Sequence, residues 1–298
     1  MIENHLGEFA ALLTAIFWTV TALAFESASR KVGSLSVNII RLVLGFVFLS
    51  IYSLIRRNLI FPSDASPENW FWLTISGLVG FVFGDLFLFK SYTIIGSRFA
   101  MLIMTLVPPI TVLLSWIILG ERLIPVHYAG MTLTFIGISM AVFSRKSKGE
   151  KLSLKIKPLG ILYAFGGAAG QALGLVLSKF GLRDYDAFAG TQIRVIAGII
   201  GFSVLVTFMK RWRRIISALS DKSGMKSLSL GAFFGPFLGV SFSLVSVKYT
   251  QAGIASTIMA LVPILIILPA VVMYKEKITL PEIAGAFISV TGTALMFL

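Results

Sequence analysis

The chain has 298 residues, 57% of them hydrophobic and only 13% charged, with a mean hydropathy of +0.92. Ordinary globular domains are about 45–50% apolar and about 25% charged, so too few polar residues are present to cover a soluble surface. With no cysteine and only His5 and His127, disulfides, thiolate catalysis and His- or Cys-built metal sites have almost nothing to work with, and the net charge of +13 punctuates apolar runs as membrane-flanking charge does, rather than forming a nucleic-acid face.

A membrane helix takes about 20 apolar residues, and ten such spans follow one another at 8–28, 35–55, 70–92, 97–119, 125–144, 158–179, 187–209, 227–247, 252–274 and 280–298. The opening MIENHLGEF lacks the basic segment of a signal peptide, so the first run is expected to remain as a helix. Turn-forming and charged residues mark the breaks: Arg30 to Ser34, Arg56 to Asn58 with Pro62 to Pro67, and Gly120 to Arg122. Residues 145–157 (RKSKGEKLSLKIK) are the most polar stretch, and KRWRR at 210–214 opens a second basic loop. The expected class is an all-α polytopic membrane protein, integral to an inner or plasma membrane.

The chain repeats itself. A shift of 155 residues lays IMTLVPP at 103–109 over IMALVPI at 258–264, Glu121 over Glu276, Ala129 and Gly130 over Ala284 and Gly285, and Gly137 over Gly292. Gly80 and Gly84 fall on Gly235 and Gly239, and at nearby shifts Arg41 and Gly45 match Arg194 and Gly198. Order is kept throughout, which points to two homologous halves: 1–145 and 158–298, joined by a basic linker at 146–157. Five helices per half is odd, so the second half is expected to enter the membrane upside down, giving ten helices as two inverted five-helix repeats. Inverted repeats are the common build of secondary transporters, with the substrate held near the midplane between them.

PheTrpThr at 17–19, AsnIleIleArgLeu at 38–42, LysSerTyrThr at 90–93, LeuValProPro at 106–109, LeuGlyGluArg at 119–122 and the spaced Gly130 and Gly137 carry a resemblance. LeuValPro at 261–263, LysGluLys at 275–277 and AlaGly at 284–285 echo them in the second half. The chain resembles the EamA family of the drug/metabolite transporter superfamily over nearly its whole length. That resemblance implies ten helices, a central cavity, and export or exchange of small metabolites such as amino acids, or of drugs. LysGluLys in place of a second Gly-Glu-Arg, and GlyGlyAlaAlaGlyGln at 166–171 where an aromatic is common, depart from the family pattern.

Residue types narrow the candidate site. Gly166, Gly170 and Gly174, like Gly231, Gly235 and Gly239, recur every four positions and give one helix face close backbone approach, either as static packing or as a sliding surface. Pro108, Pro109 and Pro263 interrupt helices near their middles, as kinks or as gating points. A charge at a membrane helix centre costs roughly 2.5–3.5 kcal/mol on insertion scales, which singles out Asp85: it binds a cationic group or a coupling proton, or it pairs with Arg41. Arg41 and Arg194 either bind an anionic substrate group or satisfy helix ends and snorkel. Glu26 is a second proton candidate, near its helix end. Trp18, Tyr92, Tyr163, Gln171 and Ser243 complete the candidate substrate-binding set, each with a packing alternative. Glu121 and Glu276, beside Arg122 and Lys277, read as structural loop pairs.

These residues support a non-enzymatic secondary transporter of small organic metabolites working by alternating access, with a small solute, the bilayer and protons as expected partners, and with no nucleic acid and no cofactor. GxxxxGK[ST] is missing, so this chain does not supply ATP drive. A multidrug or lipid-like solute exporter is the alternative, with a membrane-embedded enzyme or a non-transporting scaffold behind it. Orientation stays open. Loops 1–2, 3–4, 5–6, 7–8 and 9–10 hold 18 Lys and Arg against six in the others, which puts the termini outside by the positive-inside rule, while the resemblance puts them in the cytoplasm.

Overall fold

The computed structural model describes residues 5–144, 158–274 and 279–298, apart from the side chains of 89, 92–93, 96–99, 102, 143–144, 270 and 273–274. The described residues form helices: α1 (Leu6–Val32), α2 (Ser34–Arg57), α3 (Pro67–Gly77), a π-helical segment (Leu78–Gly84), α4 (Asp85–Met104), α5 (Val107–Leu119) and α6 (Pro125–Ser144). The second half supplies α7 (Pro158–Leu182), α8 (Ala187–Phe208), α9 (Trp212–Ala218), α10 (Lys222–Ala232), a second π-helical segment (Phe233–Gly239) and α11 (Val240–Tyr249). It ends in α12 (Ala252–Met259), α13 (Val262–Leu265), α14 (Ile267–Tyr274) and α15 (Leu280–Ala294). Among the described residues, nine helical stretches are long and apolar enough to span a bilayer. Large apolar side chains such as Ile55, Phe208, Leu268 and Phe287 remain exposed on their outer faces, where lipid replaces water as the neighbour.

Two elements depart from the expected spans. The loop drawn between 92 and 97 is absent: α4 runs unbroken from Asp85 to Met104, and the chain breaks instead at Thr105–Leu106. That stretch holds no proline, and its lone Gly96 costs a helix only about 1 kcal/mol. The following α5 has 13 residues, about 20 Å of helix. The basic loop 210–226 is also partly helical, because α9 tucks Ile215 and Ala218 into the core. Elsewhere turns are tight. Gly33 alone joins α1 to α2, at a φ of 81° that a side chain would strain.

The proline breaks fall in register. Pro108 sits in the first turn of α5 after Leu106, and Pro263 in the first turn of α13 after Leu261, 155 residues on. Proline lacks the donor that would continue the preceding helix but fits a new first turn. The π segments show the same shift: Leu78–Gly84 and Phe233–Gly239 also lie 155 residues apart. Proline does not cause them both, since Pro236 stands in the second where Phe81 stands in the first. Their shared feature is the pair of glycines four apart.

Packing between the halves is exchanged. α1 lies against α10, the second π segment and α11, while α7 lies against α3, the first π segment and α4. On the second pairing a Cβ at Gly170 would meet Gly84 Cα at 2.9 Å, and one at Gly174 would meet Gly80 Cα at 2.8 Å. On the first, Gly231, Gly235 and Gly239 accept Phe25, Thr21 and Trp18. The helices α6 and α15 cross at a seam of glycines: Gly130 opposes Gly292 and Gly137 opposes Gly285, with Thr134 and Ser289 between them. Residue numbers rise on one helix as they fall on the other, so α6 and α15 run antiparallel.

Candidate functional site

Asp85 follows directly on the first π segment, with a side chain that the fold buries. Arg41 of α2 donates through Nη2 to Asp85 Oδ2. Gln171 of α7 donates through Nε2 to Asp85 Oδ1 at 3.0 Å and lies 3.3 Å from the Gly80 carbonyl. The guanidinium of Arg41 also stands 5.6 Å from the centroid of the Phe25 ring of α1. Four helices from both halves therefore meet at one buried ion pair. Such a pair holds when intact and exposes a costly lone charge when broken.

Arg194 of α8 borders this cluster across Gly80, where a Cβ would come 3.3 Å from its Nη2. It is 5% exposed, with its guanidinium 5.0 Å from the Phe81 ring centroid. Its Nε is buried without a hydrogen-bond partner, and no hydrogen bond or ion pair holds the guanidinium among the described residues. It neither reaches a helix-end carbonyl nor snorkels to a headgroup.

The other candidates lie apart. The Trp18 indole packs on Gly239. Tyr163 lies 5.8 Å from Phe87, centroid to centroid. Ser243 donates to the carbonyl of Val240 in its own helix at 2.7 Å. Glu26 is on the surface and pairs with Arg30 at 2.7 Å, one helical turn on. The Tyr92 side chain, like Glu276 and Lys277, lies outside the described residues. Glu121 does not pair with Arg122: its Oε1 takes Lys179 at 2.6 Å, and its Oε2 accepts from the Ala252 backbone N–H at 2.8 Å.

A cavity of about 360 Å³ opens at the end of the bundle where α11 passes into α12. His127, Lys179, Lys248, Tyr249, Thr250, Gln251 and Ile254 line it. Lys179 also donates to the Thr250 carbonyl at 2.6 Å, and Thr250 Oγ1 donates to Glu8 Oε1 at 2.6 Å. Lys248 is held by carbonyls alone, those of Asp184 and Tyr185, at 2.9 and 3.0 Å. At the same end, Asp64 joins Arg57 and accepts from the Tyr185 hydroxyl at 2.9 Å. Burial raises Asp64, but the Tyr185 and Arg57 hydrogen bonds bring its carboxyl below the usual carboxylate range. Burial pushes the Tyr185 phenol up to about 12. Sequence reasoning counted Lys179 and Lys248 only as loop charge, and nothing in their spacing marks them as cavity residues.

The EamA-like transporter family model matches residues 5–143 and again 158–298. The chain belongs to the EamA-like transporter family. That family is part of the drug/metabolite transporter superfamily, and the chain is an integral multi-pass membrane protein. It is similar to an uncharacterized membrane protein, YMR253C, of Saccharomyces cerevisiae, 32% identical over 58% of this chain and 45% of that one. An uncharacterized transporter of Bacillus subtilis, YvbV, is 27% identical over 61% of this chain and 57% of its own. This EamA-like chain thus spans about half the length of those two curated relatives. An uncharacterized transporter of Archaeoglobus fulgidus is 23% identical over 97% of this chain and 96% of its own. A protein of known crystal structure superposes with a TM-score of 0.77 at 19% identity, over 97% of this chain and 94% of its own, which shows the fold alone.

Proposed function

We propose that this chain is a secondary transporter, an exporter or exchanger of small organic metabolites with amino acids foremost. It works by alternating access between two inverted five-helix repeats, 1–145 and 158–298. The observation that carries this reading is the exchange of partners between the halves. α1 takes the third-helix region of the second half as α7 takes that of the first, and the α6–α15 seam pairs each glycine with the repeat mate of the other. A two-fold relation is the geometry in which residue i meets j while j meets i, and rocking about it converts one end's opening into the other's.

The Arg41–Asp85–Gln171 cluster lies where the halves meet, so rearranging them acts on it directly. Asp85 is the candidate coupling group, since release from Arg41 leaves a buried carboxylate that binds a proton; Glu26, on the surface with Arg30, is the lesser one. Purified protein in proteoliposomes, preloaded with unlabelled L-amino acids, is expected to accumulate a labelled L-amino-acid mixture by counterflow. Accumulation no greater than in protein-free liposomes contradicts the reading.

A further inference from the structure

The two repeat-related arginines differ in charge balance. Arg41 is paired with Asp85, whereas Arg194 faces no carboxylate, and the residue 155 positions after Asp85 is Val240. Gln171 and Gly80 link Arg41, Asp85 and Arg194 into one buried cluster of two cations and one anion. Arg194 sits seven residues into α8, about 10 Å from that helix's start, walled in by Phe81 and the bare backbone at Gly80. An arginine is not deprotonated in such a place, and its planar fork matches the two oxygens of a carboxylate.

We propose that Arg194 is the anchor for a single carboxylate group on the transported solute. One negative charge cancels the excess, whereas a phosphate dianion overshoots it. Both Asp85 oxygens are already held, by Arg41 and Gln171, so an ammonium on the same solute finds no free carboxylate in the cluster. This assignment rests on the transport reading above and names the class of solute that it takes.

The test uses four compounds on one skeleton: L-phenylalanine, 3-phenylpropionate, phenethylamine and 3-phenylpropanamide, with inorganic phosphate as a fifth. Thermal unfolding of the full chain in detergent is expected to shift upward by several degrees with 3-phenylpropionate, by less with L-phenylalanine, whose ammonium finds no partner, and to stay put with the amine, the amide and phosphate. Arg194→Met is expected to lose that response, and its unliganded midpoint is expected to rise, because an unpaired buried charge is gone. Equal shifts from the amine or amide, no shift from any compound, a response kept by Arg194→Met, or a lower unliganded midpoint in that variant each overturns the assignment. Carboxylate shifts without counterflow of the same compounds contradict the transport reading and leave the anion site standing. Counterflow indifferent to charge does the reverse.

Discussion

Gly137 of α6 faces Gly285 of α15 so closely that a Cβ on Gly137 would lie 2.5 Å from the Gly285 carbonyl oxygen. The Ser289 hydroxyl could turn away, but the Ser289 backbone nitrogen, also at 2.5 Å, and the Gly285 carbonyl cannot, so the contact has no way to yield locally. Gly137→Ala is expected to destabilise the protein by about 1–3 kcal/mol, the usual range for overpacking. The exposed Thr132→Ala in the same helix is expected to change little. Thermal unfolding of both variants in detergent checks this, and equal midpoints would contradict the seam.

Asp85→Asn removes the charge that balances Arg41 and leaves a buried cation alone. Breaking a buried pair from one side costs on the order of 3 kcal/mol, and coupled uptake is expected to be lost with it. Replacing both partners, as Arg41→Met with Asp85→Leu, is expected to restore most of the stability but none of the coupled flux. A double variant no more stable than Asp85→Asn would show that the pair contributes packing rather than charge.

Much of this architecture was legible in the chain before its structure. The 155-residue shift located the glycine pairs and both proline breaks, and a nearby shift matched Arg41 with Arg194, because duplicated helices keep the residues on which their backbones touch. Asp85 stands out in the sequence because an intramembrane carboxylate is costly, and Arg41 is a partner that the sequence offers it. Gln171 was read only as a cavity-lining residue, since periodicity does not say which atom a side chain meets. The pairings Glu121–Lys179 and Asp64–Tyr185 were not legible: each joins residues more than 50 positions apart, and neither residue type was unusual for a loop. The π segments had a visible signal in Gly80–Gly84 and Gly235–Gly239, which spacing alone reads as packing. The missing break at 92–97 came from a rule that expects two spans to be separated by a turn.

The Asp64–Tyr185 contact sets a pH window. Asp64 is held below its ordinary range in the folded protein, so its contribution is present above about pH 4 and is lost as pH falls through the folded value. Tyr185 is raised to about 12, so its contribution is complete below about pH 10, the unfolded value, and fades as pH rises to 12. The difference in unfolding midpoint between wild type and Tyr185→Phe is expected to be constant from pH 5 to 9 and to shrink on both sides (about one pH unit beyond each edge). A difference independent of pH up to 12 would remove Tyr185 from this contact.

Under the proposed alternating access, the halves rock, closing one end of the bundle as they open the other. Ser27 of α1 and Ser227 of α10 stand with their Oγ atoms 3.4 Å apart, at the end of α1 remote from Glu8 and the cavity at Thr250. The chain has no cysteine of its own, so Ser27→Cys with Ser227→Cys introduces a single cross-link between the halves. Counterflow of the labelled L-amino-acid mixture is the measurement to make on it, before and after reduction. The oxidised protein is expected to be inactive, and reduction is expected to restore flux to the level of either single variant. Full flux through the cross-linked protein would contradict the rocking of the halves.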